Sequence, residues 1–500
     1  MQYNNPVIRG FNPDPSVCRV GEDYYLVTSS FEFFPGVPVY HSKNLADWTL
    51  VNYCLSDEAQ LNLQNARASG GIYAPTIRHH DGRFYMTTTN VTLEKNFIVH
   101  TDDVRGKWSA PVWVNQSGID PSMLFEDGTC YYCSNGYDDD SCFIQLSEID
   151  PLTGAFIHEP VAICRGTGGI YPEAPHLYKI NGWYYLMLAE GGTQYGHMET
   201  IFRSKNPYGP YEGCARNPIL SHRDRAGHPI QCTGHADLLE DHLGNFWLYF
   251  LGTRPLGAKH LHNLGRETFL APVVWDADGF PVVGQDGKVE LVMDGPLPAP
   301  TEHAEIDFYD DFSAGTPNLH YNFYRNPEAG RYRFDKNQLT LDGRGSQLSE
   351  QTASPTFIGI RQTEFSMTAQ VTLLLGSLEE GGKIGMSAFY NWSYHYDIYV
   401  TMENGSYYAC LRKRVHDTEA QAARILLAPS DTVCLRIESD DQCYRFFADE
   451  IEIGCGLSVG LCTEQTWPTS FTGTYFGLFA EGGQGTFSDF RVGMRKIDAA

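Results

Sequence analysis

The 500-residue chain has no apolar run approaching the 18 or so residues of a membrane span. Positive charge is scarce: 36 Lys and Arg stand against 61 Asp and Glu, leaving a formal net charge of −25. Such a field repels phosphate backbones and anionic headgroups, so neither nucleic acid nor a membrane surface is an expected partner. The opening MQYNNPVIRGF has neither the basic start nor the apolar stretch of a signal peptide, and the expected compartment is cytoplasmic. Paired cysteines are also lacking. The 13 thiols are odd in number and scattered. The one close pair, Cys130 and Cys133, lies in an apparent strand with no second pair at zinc spacing, so reduced core thiols are expected. Helical periodicity is weak throughout and no long helix is expected. Gly and Pro, 49 and 27 residues, fall well short of a disordered composition.

What is present is aromatic. Phe, Tyr and Trp make up 13% of the chain against 19% charged residues, a balance that favours strands. One strand-like element recurs as GEDYYLV, DGRFYMT, DGTCYYC, NGWYYLM and GNFWLYF, with equivalent aromatics at Tyr25, Tyr85, Tyr131, Tyr185 and Trp247. The spacings of 60, 46, 54 and 62 residues each suit one four-stranded antiparallel blade, so five repeats predict a five-bladed β-propeller. About ten residues upstream of each aromatic lies a second element: Asp14-Pro15-Ser16, Ala74-Pro75-Thr76, Asp120-Pro121-Ser122, Ala174-Pro175-His176 and Ala236-Asp237. Residues opening the innermost strand of each blade converge on the axis. Asp14, Tyr73, Asp120, Glu173 and His235 are therefore expected to meet in one funnel.

The repeats end near Trp275, and Asp294–Pro300, with three prolines, has the composition of a stiff linker. Beyond it strict alternation appears, as in Phe365, Met367, Ala369, Val371 and Leu373. The expected fold class is all-β: a five-bladed β-propeller over residues 1–296 followed by a lectin-like β-sandwich over 305–497.

Hydrolysis of an acetal needs one ionised carboxylate to take a proton from water and one protonated carboxyl to donate to the departing oxygen. Taken singly, each acid has a dull explanation, since Asp-Pro is a turn dipeptide. Their common register reverses the weighting, because like charges gathered without a task cost stability.

The runs NPVIRGFNPDPS, TSSFEFFPGVPVYHSKNLADW, GGIYAPTIRHHDGRFY, GIDPSMLFEDG, YPEAPHLYK, AEGGTQYGH, TGHADLLED and LGRETFLAPV together resemble glycoside hydrolase family 43 over the first 290 residues or so. In the two-domain form this resemblance implies an exo-acting, inverting β-xylosidase or α-L-arabinofuranosidase that removes single pentoses from arabinoxylan- or arabinan-derived oligosaccharides. It implies Asp14 as the general base, Glu173 as the general acid and Asp120 as the carboxylate that orients the acid and keeps it protonated. No cofactor is required, although some members hold a calcium or other ion near His235 through waters. Arg254, in FLGTRP, resembles the arginine that reaches the sugar hydroxyls and neutralises the acids. Phe31 and Phe34 resemble pocket-wall aromatics, with core packing as the competing account, and Phe471 resembles a loop leaned over the funnel as a lid. Two departures appear: Ala174 stands where glycine usually follows the acid, and Tyr73 where tryptophan is common.

Asp310, Asp311 and Asp489 could gather to bind a structural calcium if the first and last sandwich strands pair, although solvated turn acids are the favoured reading. His260 and His262, alternating on an expected strand, are read as surface or supporting residues without a third zinc ligand. A retaining fructosidase lacks its Asn-Asp-Pro-Asn-Gly opening here, and a sugar-binding propeller without catalysis is disfavoured because all three acids are present. The partner expected is a small oligosaccharide; oligomeric state, a homo-oligomer included, is open.

Overall fold

A computed structural model describes residues 1–138, 142–257, 260–302, 307–467 and 469–495. Five four-stranded antiparallel sheets form the propeller. Their innermost strands are Ser16–Val20, Thr76–His80, Ser122–Glu126, Glu173–Ile180 and Gln231–Glu240. Each passes through a tight turn into the strand carrying the repeated aromatic. That turn needs glycine: Gly21, Gly82, Gly128, Gly182 and Gly244 all have φ between 62° and 85°. In blades 2 to 4 an Asp or Asn before the glycine also has positive φ, the pattern of a type I′ hairpin. Tyr85, Tyr185 and Trp247 are buried between blades, each ring contributing about 2 kcal/mol or more by leaving water. The N-terminal strand Gln2–Asn4 pairs with Val292–Asp294, tying the start of the chain to the end of the propeller.

The blades are pinned at the axis by one carboxylate. Asp237 of blade 5 accepts hydrogen bonds from Ser16 Oγ (2.7 Å) and Val17 N–H (3.0 Å) of blade 1, from Arg78 Nη1 (2.8 Å) and Nη2 (3.1 Å) of blade 2, and from Tyr178 OH (2.6 Å) of blade 4. Arg78 Nη2 also donates to His176 Nδ1 at 2.9 Å. Burial alone would raise the Asp237 carboxyl, but the Arg78 guanidinium and these donors hold it far below the usual carboxylate range.

The C-terminal region is a sandwich of two eight-stranded sheets. In the strand Met367–Leu374 every second residue is buried, and Met367, Ala369, Val371 and Leu373 enter the core as the alternation requires. Helix is limited to short 3₁₀ turns among the described residues. The strand Phe308–Asp310 pairs with the last strand, Gln484–Met494. The expected domain limits at Glu305 and Ile497 lie outside the described residues.

One strand crosses the domain boundary. Phe33–Phe34, in the loop after the second strand of blade 1, pairs with Asn322–Tyr324 and becomes the edge of a sandwich sheet. Phe34 therefore packs in the core shared with the sandwich and not on the funnel wall, which corrects the expectation for that residue: its backbone is recruited by a sheet outside its own blade.

Candidate active site

The openings of the innermost strands share an unusual backbone. Asp14 (φ 56°), Asp120 (φ 54°), Ala174 (φ 50°) and His235 (φ 51°) all lie in the left-handed region. Aspartate tolerates this conformation, whereas alanine pays for its Cβ on the order of 1–2 kcal/mol. A register shift between Glu173 and His176 accompanies the strained residue after Glu173. Ala174 is buried in this conformation, one that a glycine takes freely.

The three carboxyl groups come within one another's electrostatic reach: Asp14 (3% exposed) and Asp120 (7%) are buried, and Glu173 is half-buried. Their environments differ. Burial raises Asp14, but the Arg266 guanidinium, His235, the Ser29 hydroxyl and His197 outweigh it and hold its carboxyl below the ordinary value. Arg266 Nη1 lies 3.0 Å from Asp14 Oδ1, His235 Nδ1 lies 3.5 Å from the same oxygen, and Ser29 Oγ donates to Oδ2. Glu173 is pushed up to about 7 by burial and then by the Asp14 charge, with Arg266 opposing. Asp120 is pushed well above its usual range by burial and by the charges of Glu173 and Asp14, against a hydrogen bond from Ala174 N–H. Asp120 and Glu173 thus act as a pair that retains a proton near neutrality while Asp14 is ionised.

One wall is aromatic. The rings of Phe31, Tyr73 and Phe471 form a triangle with centroids 5.2, 5.9 and 6.1 Å apart. The Arg266 guanidinium lies 5.7 Å from the Phe31 centroid and 5.4 Å from that of Phe471. Phe471 comes from the sandwich, so the second domain supplies part of the wall. Beside Arg266 opens a cavity of 270 Å³ lined by Thr193, Gln194, Tyr195, Cys232, His262 and Phe471 among others. None of the three acids lines it, nor do Phe31 and Tyr73; it adjoins the acid cluster through Arg266 and the aromatic wall through Phe471.

Arg254 is not in this cluster, which corrects its expected role. Its Nε and Nη2 bind Glu267 at 2.7 and 2.9 Å, and its Nη1 binds Glu364 of the sandwich at 2.7 Å. It ties the domains together while Arg266 serves the acids. Arg254 follows the second strand of blade 5 and Arg266 precedes the third, so both stand at one end of the blade, Gly252 opposite Glu267. The LGRETF run contained the signal, but spacing alone does not say which arginine turns inward. Thr193, which accepts a hydrogen bond from Arg266 Nη1 at 3.0 Å, and Ser29 were also missed. Both lie in or beside runs that carry the resemblance.

His260 and His262 lie in a loop and not on a strand. His262 Nδ1 is 2.7 Å from Glu464 Oε1, a domain-to-domain contact. Among the described residues no group of three His, Cys, Asp or Glu side chains is placed to hold a metal. Asp310 and Asp311 each cap a nearby backbone N–H, of Phe312 and Ser313, and Asp489 accepts from Tyr309 OH.

Residues 3–281 match the model of glycosyl hydrolases family 43, and residues 309–492 match that of the beta xylosidase C-terminal Concanavalin A-like domain. The chain is 41% identical over 491 residues, 96% of its length and 91% of the relative's, to the non-reducing end alpha-L-arabinofuranosidase BoGH43B of Bacteroides ovatus. It is 36% identical to a beta-xylosidase of Bacillus subtilis over 400 residues, 75% of this chain and 74% of that one. Among solved structures, the GH43B protein of the Bacteroides ovatus xyloglucan PUL superposes with a TM-score of 0.92 at 39% identity, covering 99% of this chain and 100% of that one. The GH43 BlXynB protein of Bacillus licheniformis gives 0.90 at 30%, with coverage of 99% and 100%. The chain belongs to glycosyl hydrolases family 43.

Proposed function

We propose that this family 43 member is an exo-acting glycoside hydrolase that releases a terminal pentose, as α-L-arabinofuranosidase, β-xylosidase or both, from arabinoxylan- or arabinan-derived oligosaccharides, with inversion. The observation that carries the chemistry is the split between neighbouring carboxyls. Asp14 is kept ionised by Arg266, while the Asp120–Glu173 pair is driven upward by burial and like charge. In this reading the Asp14 carboxylate takes a proton from the attacking water as its oxygen bonds the anomeric carbon. Glu173 gives its proton to the glycosidic oxygen as that bond breaks. Asp120 orients the acid through the backbone at Ala174. The Phe31, Tyr73 and Phe471 rings offer apolar faces to the sugar, and the sandwich loop bearing Phe471 narrows the funnel around one terminal unit.

Thirteen cysteines, most of them buried, suit a reducing compartment and support a cytoplasmic setting. The test is parallel hydrolysis of 4-nitrophenyl α-L-arabinofuranoside and β-D-xyloside, following the first-formed anomer by NMR. Release of the inverted sugar from at least one is expected. Hydrolysis of neither, or retention of configuration, would overturn the assignment.

A further inference from the structure

A buried acid outside the catalytic trio is left without a task. Glu32 sits within SSFEFFPG between Phe31, on the pocket wall, and Phe33, in the strand given to the sandwich, and its side chain is 0% exposed. A carboxyl placed there costs folding energy unless it is used. Its Oε2 accepts from Ser69 N–H at 3.0 Å, and its Oε1 has no hydrogen-bond partner. Burial pushes it up to about 7, with the Ser69 and its own backbone N–H groups and Arg325 pulling it back.

The Ser69 contact continues to the pocket. Ser69 Oγ accepts from Phe471 N–H at 2.8 Å and lies 3.2 Å from Ser470 Oγ. On the other side, Phe31 and Ile72 exchange backbone hydrogen bonds of 2.8 and 3.1 Å, which fixes Tyr73 next in the chain. The Glu32 carbonyl accepts from Arg325 N–H of the sandwich at 2.8 Å. Arg325, itself 0% exposed, spends its guanidinium on the carbonyls of Ala66, Gln351 and Ala353 and on Tyr324 OH.

We propose that Glu32 is a positioning residue that, by gripping the Ser69 segment, holds Phe31, Tyr73 and Phe471 as one wall and so converts docking of the sandwich into affinity for the terminal sugar. Phe31 adjoins this acid, the Phe471 N–H is held by its partner Ser69, and Tyr73 follows the Ile72 that pairs with Phe31. The acid touches neither the substrate nor the reacting atoms, so its loss weakens binding more than the chemical step.

This inference rests on the pocket being the seat of a terminal pentose, and the experiment separates the two. Glu32→Ala, Glu32→Gln, Ser69→Ala and the Glu32→Ala/Ser69→Ala double variant are compared in the full chain. The readouts are kcat and KM on whichever aryl pentoside the wild type cleaves, the Kd of free xylose and arabinose by calorimetry, and thermal unfolding. Glu32→Ala is expected to raise KM and pentose Kd about tenfold, the size of roughly one hydrogen bond's ordering, with kcat within about threefold. Glu32→Gln keeps an oxygen for Ser69 N–H and is expected within about twofold of wild type. Ser69→Ala repeats the binding loss, and the double variant is no worse than the worse single one, because both cut the same chain of contacts. Unchanged KM and Kd in Glu32→Ala, a glutamine variant as impaired as alanine, or fully additive losses would overturn the role. If Glu32→Ala does not fold, Ser69→Ala decides, and normal pentose binding there overturns it. A wild type that binds pentose but hydrolyses nothing sinks the catalytic reading alone, and Glu32 is then judged on Kd.

Discussion

Two of the propeller's carboxylate–arginine pairs, Asp237 with Arg78 and Asp14 with Arg266, do opposite things. Asp237 with Arg78 is saturated, its two oxygens taking five donors from three other blades. Asp14 with Arg266 has the Ser29 hydroxyl and a His235 nitrogen at 3.5 Å, and faces two further acids. The first carboxylate is fully spent on holding blades together. The second keeps an ionised group poised beside a pair that retains a proton. A buried ion pair becomes a pin when its hydrogen-bonding capacity is filled and reactive when it is left short beside like charge.

The largest test of this contrast exchanges charge for amide on each side. Asp14→Asn and Glu173→Gln are each expected to lower kcat by roughly a thousandfold or more with near-wild-type unfolding temperature. Asp237→Asn is expected to cost about 3–5 kcal/mol in urea denaturation by leaving Arg78 buried without its counter-charge. Activity surviving in Asp14→Asn would erase the distinction. The two arginines of blade 5 sharpen it further. Arg266→Ala should cost about a hundredfold or more in kcat/KM, because the charge that holds Asp14 ionised is gone. Arg254→Ala should mainly lower the unfolding temperature, since Glu267 loses its cation and Glu364 keeps only Arg9. Turnover lost only in Arg254→Ala would reverse the placement of the two.

The smallest effect is in pH dependence. With Asp14 held below the ordinary carboxylate value, kcat/KM should rise at acid pH under about 4, and it should fall as Glu173 gives up its proton near 7. Asp120→Asn removes one like charge from the pair, so the basic limb should move down by about one pH unit, roughly tenfold at a fixed pH on that limb. A limb that stays in place would show that Asp120 does not act through the acid's proton.

Much of this was legible in the sequence because the propeller repeats its local rules. A glycine with positive φ, an aromatic (buried in three of the five blades) and a strand opening recur five times, and register alone gathers Asp14, Asp120, Glu173 and His235. Pairings between non-neighbouring segments were not legible. Arg254 and Arg266 stand at the same end of one blade, and packing against the sandwich decides which turns outward. Phe34 reads as a pocket residue until its backbone is claimed by Asn322–Tyr324. His260 and His262 alternate in sequence, but the segment is a loop, and alternation there has no faces to sort.

The strand Phe33–Phe34 also orders events in time. A ribosome makes blade 1 early, yet the partner of that strand emerges roughly 290 residues later. Until then the nascent propeller carries an open sheet edge next to Phe31, with nothing yet made to supply Phe471. The aromatic triangle is complete only once the sandwich has been made, and a chain released before then would present that edge to other chains as a site for aggregation.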